Sequence, residues 1–238
     1  MSPLGFALAA AVGNIIGALA VVRHLRRGLS FIDACLAFGA GFMLAVTILG
    51  VMPEILKDTS AAPLYVLLGY FAVHVAQHVL PPHFHFGEET HRVSSAAGNS
   101  ALLGLTLHTF FDGVAIASGF LVSGRLGLLL FLAVLLHKLP EGVTIASVMV
   151  AGGRSRAHAV GAAAVLGGAT VLGVLLTGQV QPLASHGLAL SAGVTLYVAA
   201  SNLVPEFQAK RGWPSGLAFI GGAAGFFITE LVLEGWLS

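Results

Sequence analysis

Apolar residues run along this chain in eight blocks, at 3–22, 31–53, 62–81, 99–123, 125–150, 157–178, 182–206 and 214–237, each bounded by polar or Pro/Gly clusters. A helix rises 1.5 Å per residue, so about 20 apolar residues match the roughly 30 Å hydrocarbon core of a bilayer. The pattern therefore predicts an all-α integral membrane protein of eight transmembrane helices. Short connections such as Ser123-Gly124-Arg125 and Gly152-Gly153-Arg154 suit antiparallel neighbours. The longest connection, 82–98, carries His83, His85 and His91.

Composition agrees with the pattern. The 238 residues are 57% hydrophobic and 9% charged, with mean hydropathy +0.93, whereas soluble domains carry about 25% charged residues. Eight spans consume nearly the whole chain, which is expected to form one transmembrane domain over 1–238. A formal net charge of +1 and the lack of a long Lys/Arg run remove the electrostatic case for nucleic-acid binding. Cys35 is the single cysteine, so no internal disulfide can form. The positive charges follow the first apolar run instead of preceding it, which argues against a cleaved signal peptide.

Basic residues also set the expected orientation. Alternate loops hold Arg23, Arg26 and Arg27, then Arg92, then Arg154 and Arg156, then Lys210 and Arg211, while the opposite set holds only Lys57 and Arg125. Both termini are then extracytoplasmic and the His-bearing loop 82–98 is cytoplasmic. The short length favours a prokaryotic inner membrane.

Two internal matches join the spans in pairs. Ala40–Glu54 matches Ala192–Glu206 at six of fifteen positions, linking spans two and seven. His108-Thr-Phe-Phe-Asp112-Gly113 likewise matches His137-Lys-Leu-Pro-Glu141-Gly142, linking spans four and five. Each pair runs in opposite directions, as inverted-topology repeats require. With three spans on either side of the repeated motif, the expected arrangement is 3+2+3.

That motif places His108, Asp112, His137, Lys138 and Glu141 deep inside apolar spans. A charge near the bilayer centre costs at least about 2.5–3.5 kcal/mol on insertion scales, so it is retained only when paired, hydrated or metal-bound. His108 and Asp112 are four residues apart, as are His137 and Glu141, so each pair shares one helical face. Two facing helices would offer two imidazoles and two carboxylates, a first shell for Zn²⁺ or another divalent first-row metal. Pro140 removes one backbone bond beside the ligands, and Gly113 and Gly142 allow the two helices to approach closely.

The paired motifs resemble those of the ZIP (Zrt/Irt-like) family of divalent metal transporters, which carry His-Asn-Phe-x-Asp-Gly on the fourth span and His-x-x-Pro-Glu/His on the fifth. The resemblance implies a transporter, not an enzyme, with no catalytic cofactor. Its cargo is a divalent metal taken into the cytoplasm by relative movement of two helix groups. Zinc is the first choice, with iron, manganese, cadmium and cobalt as alternatives. His108, Asp112, His137 and Glu141 become the expected transport site.

Two departures qualify the resemblance. Many members place an oxygen ligand for a second metal directly after each motif histidine, where this chain has Thr109 and Lys138. An ammonium cannot ligate a metal, so Lys138 is read as a fixed cation replacing the second ion and pairing with Asp112 or Glu141 when the site is empty. Ser201-Asn202 stands where members often have acidic or His-Glu residues before the Pro-Glu of span seven.

Accessory candidates are Met43 as a soft ligand from span two, His74 and His78 beside Gln77 as a transit site, and His83, His85 and His91 as a capture loop. Each has a plainer reading as packing, interfacial or solvated residues. Glu230 and Glu234 are expected to be solvated at the membrane interface. Other classes consistent with the residues are an intramembrane metal-dependent hydrolase and a metal-binding membrane protein that does not transport. The bilayer and metal ions are the expected partners, with a homodimer through the Gly-rich faces as an alternative state.

Overall fold

Helices and turns account for residues 2–23, 29–58, 61–78, 95–205 and 213–237, which are those the computed structural model describes. Among the described residues the helices are α1 (Pro3–Val22), α2 (Leu29–Ala45, continuing through a π-helical turn Val46–Val51 into Met52–Asp58), α3 (Ala62–His78), α4 (Ser95–Val122), α5 (Gly124–Ala151), α6 (Arg156–Thr177), α7 (Gln181–Tyr197, continuing through a π-helical turn Val198–Leu203) and α8 (Trp213–Leu237). Seven contain stretches long and apolar enough to cross a membrane, and α3 contributes a shorter apolar helix. The outer surface is apolar as well. Leu231 is 70% exposed, and Leu217, Ile220, Phe227 and Ile228 are similarly open. Such a surface is unfavourable in water and ordinary against lipid.

Two helices depart from the apolar blocks of the sequence. Helix α4 begins at Ser95, so residues 95–98 belong to it and not to the preceding loop. Helix α2 runs past Pro53 to Asp58. A proline ring clashes with the carbonyl four residues back in a regular helix. Here the preceding turn is widened, and the Met52 N–H bonds to the Thr47 carbonyl, five residues back. The same widening precedes Pro205, where the Val204 N–H reaches the Ala199 carbonyl. These two π-helical turns fall at equivalent positions of the Ala40–Glu54 and Ala192–Glu206 match.

Lipid tails are as apolar as leucine, so helix association in a membrane depends on close packing. Reciprocal glycines supply it. A Cβ at Gly142 would strike the Asn14 carbonyl, and one at Gly17 the Leu139 carbonyl, which brings α1 and α5 into backbone contact. Helices α4 and α6 meet in the same way through Gly113 against Thr170 and Gly173 against Phe110. A second pair of contacts repeats the device between α2 and α8 (Gly41 against Phe219, Gly222 against Phe38) and between α3 and α7 (Gly69 against Leu190, Gly193 against Val66).

Helices α4 and α5 run antiparallel, joined at Ser123, whose hydroxyl accepts the Leu126 N–H and caps α5. At the other end of α5, Gly153 adopts φ 78°, the left-handed conformation that lets the chain turn into α6. Arg125, at the first turn of α5, binds Glu230 (2.8 Å) and Glu234 (2.6 Å) on α8. These acids therefore serve an interhelical ion cluster, where sequence reading expected simple solvation.

Close approach at the glycines generates a direct expectation. Gly69→Val and Gly222→Val force a side chain into a neighbouring backbone and should destabilise the protein by at least about 1–3 kcal/mol, read as a lowered thermal unfolding midpoint in detergent. Gly161→Ala, inside α6 where a Cβ meets no atom within 4 Å, should leave the midpoint unlowered or raise it slightly, since Ala favours a helix interior over Gly.

Candidate metal site

Most buried hydroxyls in the spans are satisfied within their own helices: Thr47 donates to the Met43 carbonyl (2.8 Å), Thr177 to Gly173 (2.7 Å) and Thr109 to Thr106 (3.1 Å). Against that background the unsatisfied groups stand out. Both ring nitrogens of His108 and the Oε1 of Glu141 have no hydrogen-bond partner among the described residues, and neither do Ser118 Oγ and His186 Nδ1. His108 and Glu141 belong to one buried cluster midway along α4 and α5.

Asp112 is its centre. Its Oδ2 lies 3.5 Å from His108 Nε2 one turn back on α4, 3.2 Å from His137 Nε2 on α5, and 2.6 Å from Lys138 Nζ. The predicted i, i+4 pairing of His108 with Asp112 is present, and the antiparallel register of α4 and α5 delivers His137 to the same oxygen. All of these side chains are at least 93% buried. His108, Asp112 and His137 each offer a ligand atom within 4.8 Å of the others, a spacing suited to holding one metal ion.

The orientation of His137 sharpens this. Its Nδ1 lies 2.9 Å from the Ala133 carbonyl, which can only accept, so that nitrogen carries the proton. In the neutral ring Nε2 then presents a lone pair to a carboxylate oxygen. Two acceptors facing each other need a proton or a metal between them. Metal-binding histidines commonly donate their second ring N–H to a backbone carbonyl in this way.

Glu141 takes a different position from the other three expected ligands. Its Oε2 accepts from Lys138 Nζ at 2.7 Å, and it lies outside the His108–Asp112–His137 group. Lys138 is fully buried near the middle of α5 and bridges both acids. Asn14 on α1, which sequence reading did not single out, completes the cluster. With its amide nitrogen facing the acceptors, it donates to Glu141 Oε2 (3.3 Å) and the Lys138 carbonyl (2.5 Å). Its signal was present as a lone amide in an otherwise apolar span.

The accessory candidates fall elsewhere. Met43 is buried in an apolar cluster with Leu129, Leu130 and Ala133. His74 is exposed, its ring edge-on to Tyr197 at 5.9 Å. His78 ends α3, with its side chain outside the described residues, as are His83, His85 and His91. Gln77 accepts from Asn202 (3.2 Å) and Tyr70 bonds Ser201 (3.1 Å), so Ser201-Asn202 clamps α7 to α3.

The described residues thus form a helical membrane protein with a buried His–Asp–His group whose ligand atoms could hold one cation between two facing helices. Residues 87–234 match the family described as ZIP Zinc transporter. The chain belongs to the ZIP family, whose members transport divalent metals. No curated protein matches it.

Removing one partner of a buried ion network strands the others and costs about 3–5 kcal/mol. Lys138→Met should therefore lower the thermal midpoint of the metal-free protein in detergent. Added Zn²⁺ should raise that midpoint more in the variant than in the parent, because the ion supplies the missing positive charge.

Proposed function

We propose that this chain carries zinc into the cytoplasm through a single-ion site between α4 and α5, with His108, Asp112 and His137 as first ligands and Glu141 completing the set through its free Oε1. The observation that carries the reading is the convergence of two histidine Nε2 atoms on Asp112 Oδ2, with His137 anchored behind by the Ala133 carbonyl. Nitrogen and oxygen donors in equal number suit Zn²⁺, and the absence of thiolate disfavours Cu(I).

Lys138 acts as a tethered cation. In the empty site it neutralises one of the two carboxylates and bridges them, so the centre of the bilayer holds a net charge of one instead of two. An arriving dication takes Asp112 from Lys138, which remains with Glu141. Thr109, whose hydroxyl is turned to its own helix, and Lys138 offer no ligands for a second ion. The ammonium also limits affinity, and a transporter must release what it binds.

The reciprocal glycines and the matching π-helical turns support a 3+2+3 inverted-repeat arrangement, with α2, α3, α7 and α8 as one helix group and α1, α4, α5 and α6 as the other. The surplus of Lys and Arg in alternate loops supports extracytoplasmic termini. Entry from that side and release to the cytoplasm follow from the resemblance.

In proteoliposomes, His108→Ala and Glu141→Gln should each abolish Zn²⁺ uptake while the protein still folds. Normal uptake in both would refute the site. A zinc-soaked structure should hold one ion between α4 and α5; two would refute the role given to Lys138.

A further inference from the structure

Asn14 is completely buried, and an unpaired amide inside a membrane bundle is costly. Its only sensible orientation is the one in which its NH₂ faces Glu141 Oε2 and the Lys138 carbonyl, since the reverse sets a carbonyl oxygen against two acceptors. The close approach of α1 to α5, with Gly142 seated on the Asn14 backbone and Gly13 beside the Lys138 side chain, fixes where that amide can reach.

The equivalent place on α6 shows that the contact is not a by-product of packing. Thr170 meets Gly113 there as Asn14 meets Gly142, yet the Thr170 hydroxyl turns to the Leu166 carbonyl of its own helix (3.4 Å) and leaves Asp112 alone. Among the described residues, only the α5 carboxylate is held by a helix outside the α4–α5 pair. Asp112 is left to the two histidines and Lys138.

We propose that Asn14 is a positioning residue for the metal site: by occupying Glu141 Oε2 together with Lys138, it fixes the carboxylate so that Oε1, the oxygen without a partner, is the one offered to the ion. This rests on the site reading above. With Asn14 the carboxylate is ordered before the ion arrives; without it, binding must order Glu141 and Lys138 at the same time.

Binding of Zn²⁺ to the purified full chain, measured by equilibrium dialysis, tests this. Asn14→Leu, close in size but without a donor, should weaken binding by about tenfold, the lower range for residues that support metal ligands. The same change in a Glu141→Gln background should cost nothing further, because the group it acts through is gone; a merely structural role would give additive losses. Asn14→Ser and Asn14→Ala, which differ by one hydroxyl, provide the comparison if Leu does not fit: Ser should bind more tightly than Ala. Parent-like binding by Asn14→Leu, additive losses, or equal affinities for Ser and Ala overturn the role of Asn14, provided His108→Ala has lost binding. Intact binding by His108→Ala overturns the site itself.

Discussion

A lysine ammonium held between two carboxylates at the middle of a membrane bundle is the constraint around which this protein is arranged. Lys138 has no exposure, so its charge must be met by the side chains around it. Its bonds to Asp112 and Glu141 oblige α4 and α5 to lie face to face in one register. Glu141 in turn draws the Asn14 amide from α1. Three helices are thus tied at one point by charge, and the glycines beside it let their backbones come close enough for short side chains to meet.

That point is built on a repeated motif used unequally. His108 and His137 converge on one carboxylate oxygen, as a motif carried by two antiparallel helices would have them do. The acids diverge, since both bind Lys138 but Asp112 also faces the imidazoles and Glu141 also faces Asn14. The residues following the histidines diverge as well, since Thr109 bonds within its own helix while Lys138 crosses to the other. Such asymmetry gives the two carboxylates different partners and leaves Glu141 one oxygen, Oε1, without a hydrogen bond among the described residues.

Away from the site, polar side chains mostly serve packing. Ser201 and Asn202 bind Tyr70 and Gln77 to join α7 with α3. Arg125 joins α5 to α8 through Glu230 and Glu234. Both were read from sequence by their place near span ends, as departures from a ligand pattern or as solvated acids. Their partners lie more than 100 positions away along the chain, and no local pattern reveals such pairs.

The sequence by itself determined the all-helical, membrane-spanning character of the chain, the paired motifs and the presence of histidines and acids inside them. These follow from local physics: apolar runs long enough to span lipid, the four-residue spacing of His and acid, and the rarity of charge in such runs. Even the continuation of α2 past Pro53 has a local cause, though the widened turn that permits it was not read in advance. Only the tertiary structure decided which atoms face which. The choice of Asp112 Oδ2 as the meeting point, the withdrawal of Glu141 toward Lys138, and the entry of Asn14 from α1 depend on how three separate helices pack. Glycine contacts set that packing, and spacing along one helix carries no record of it.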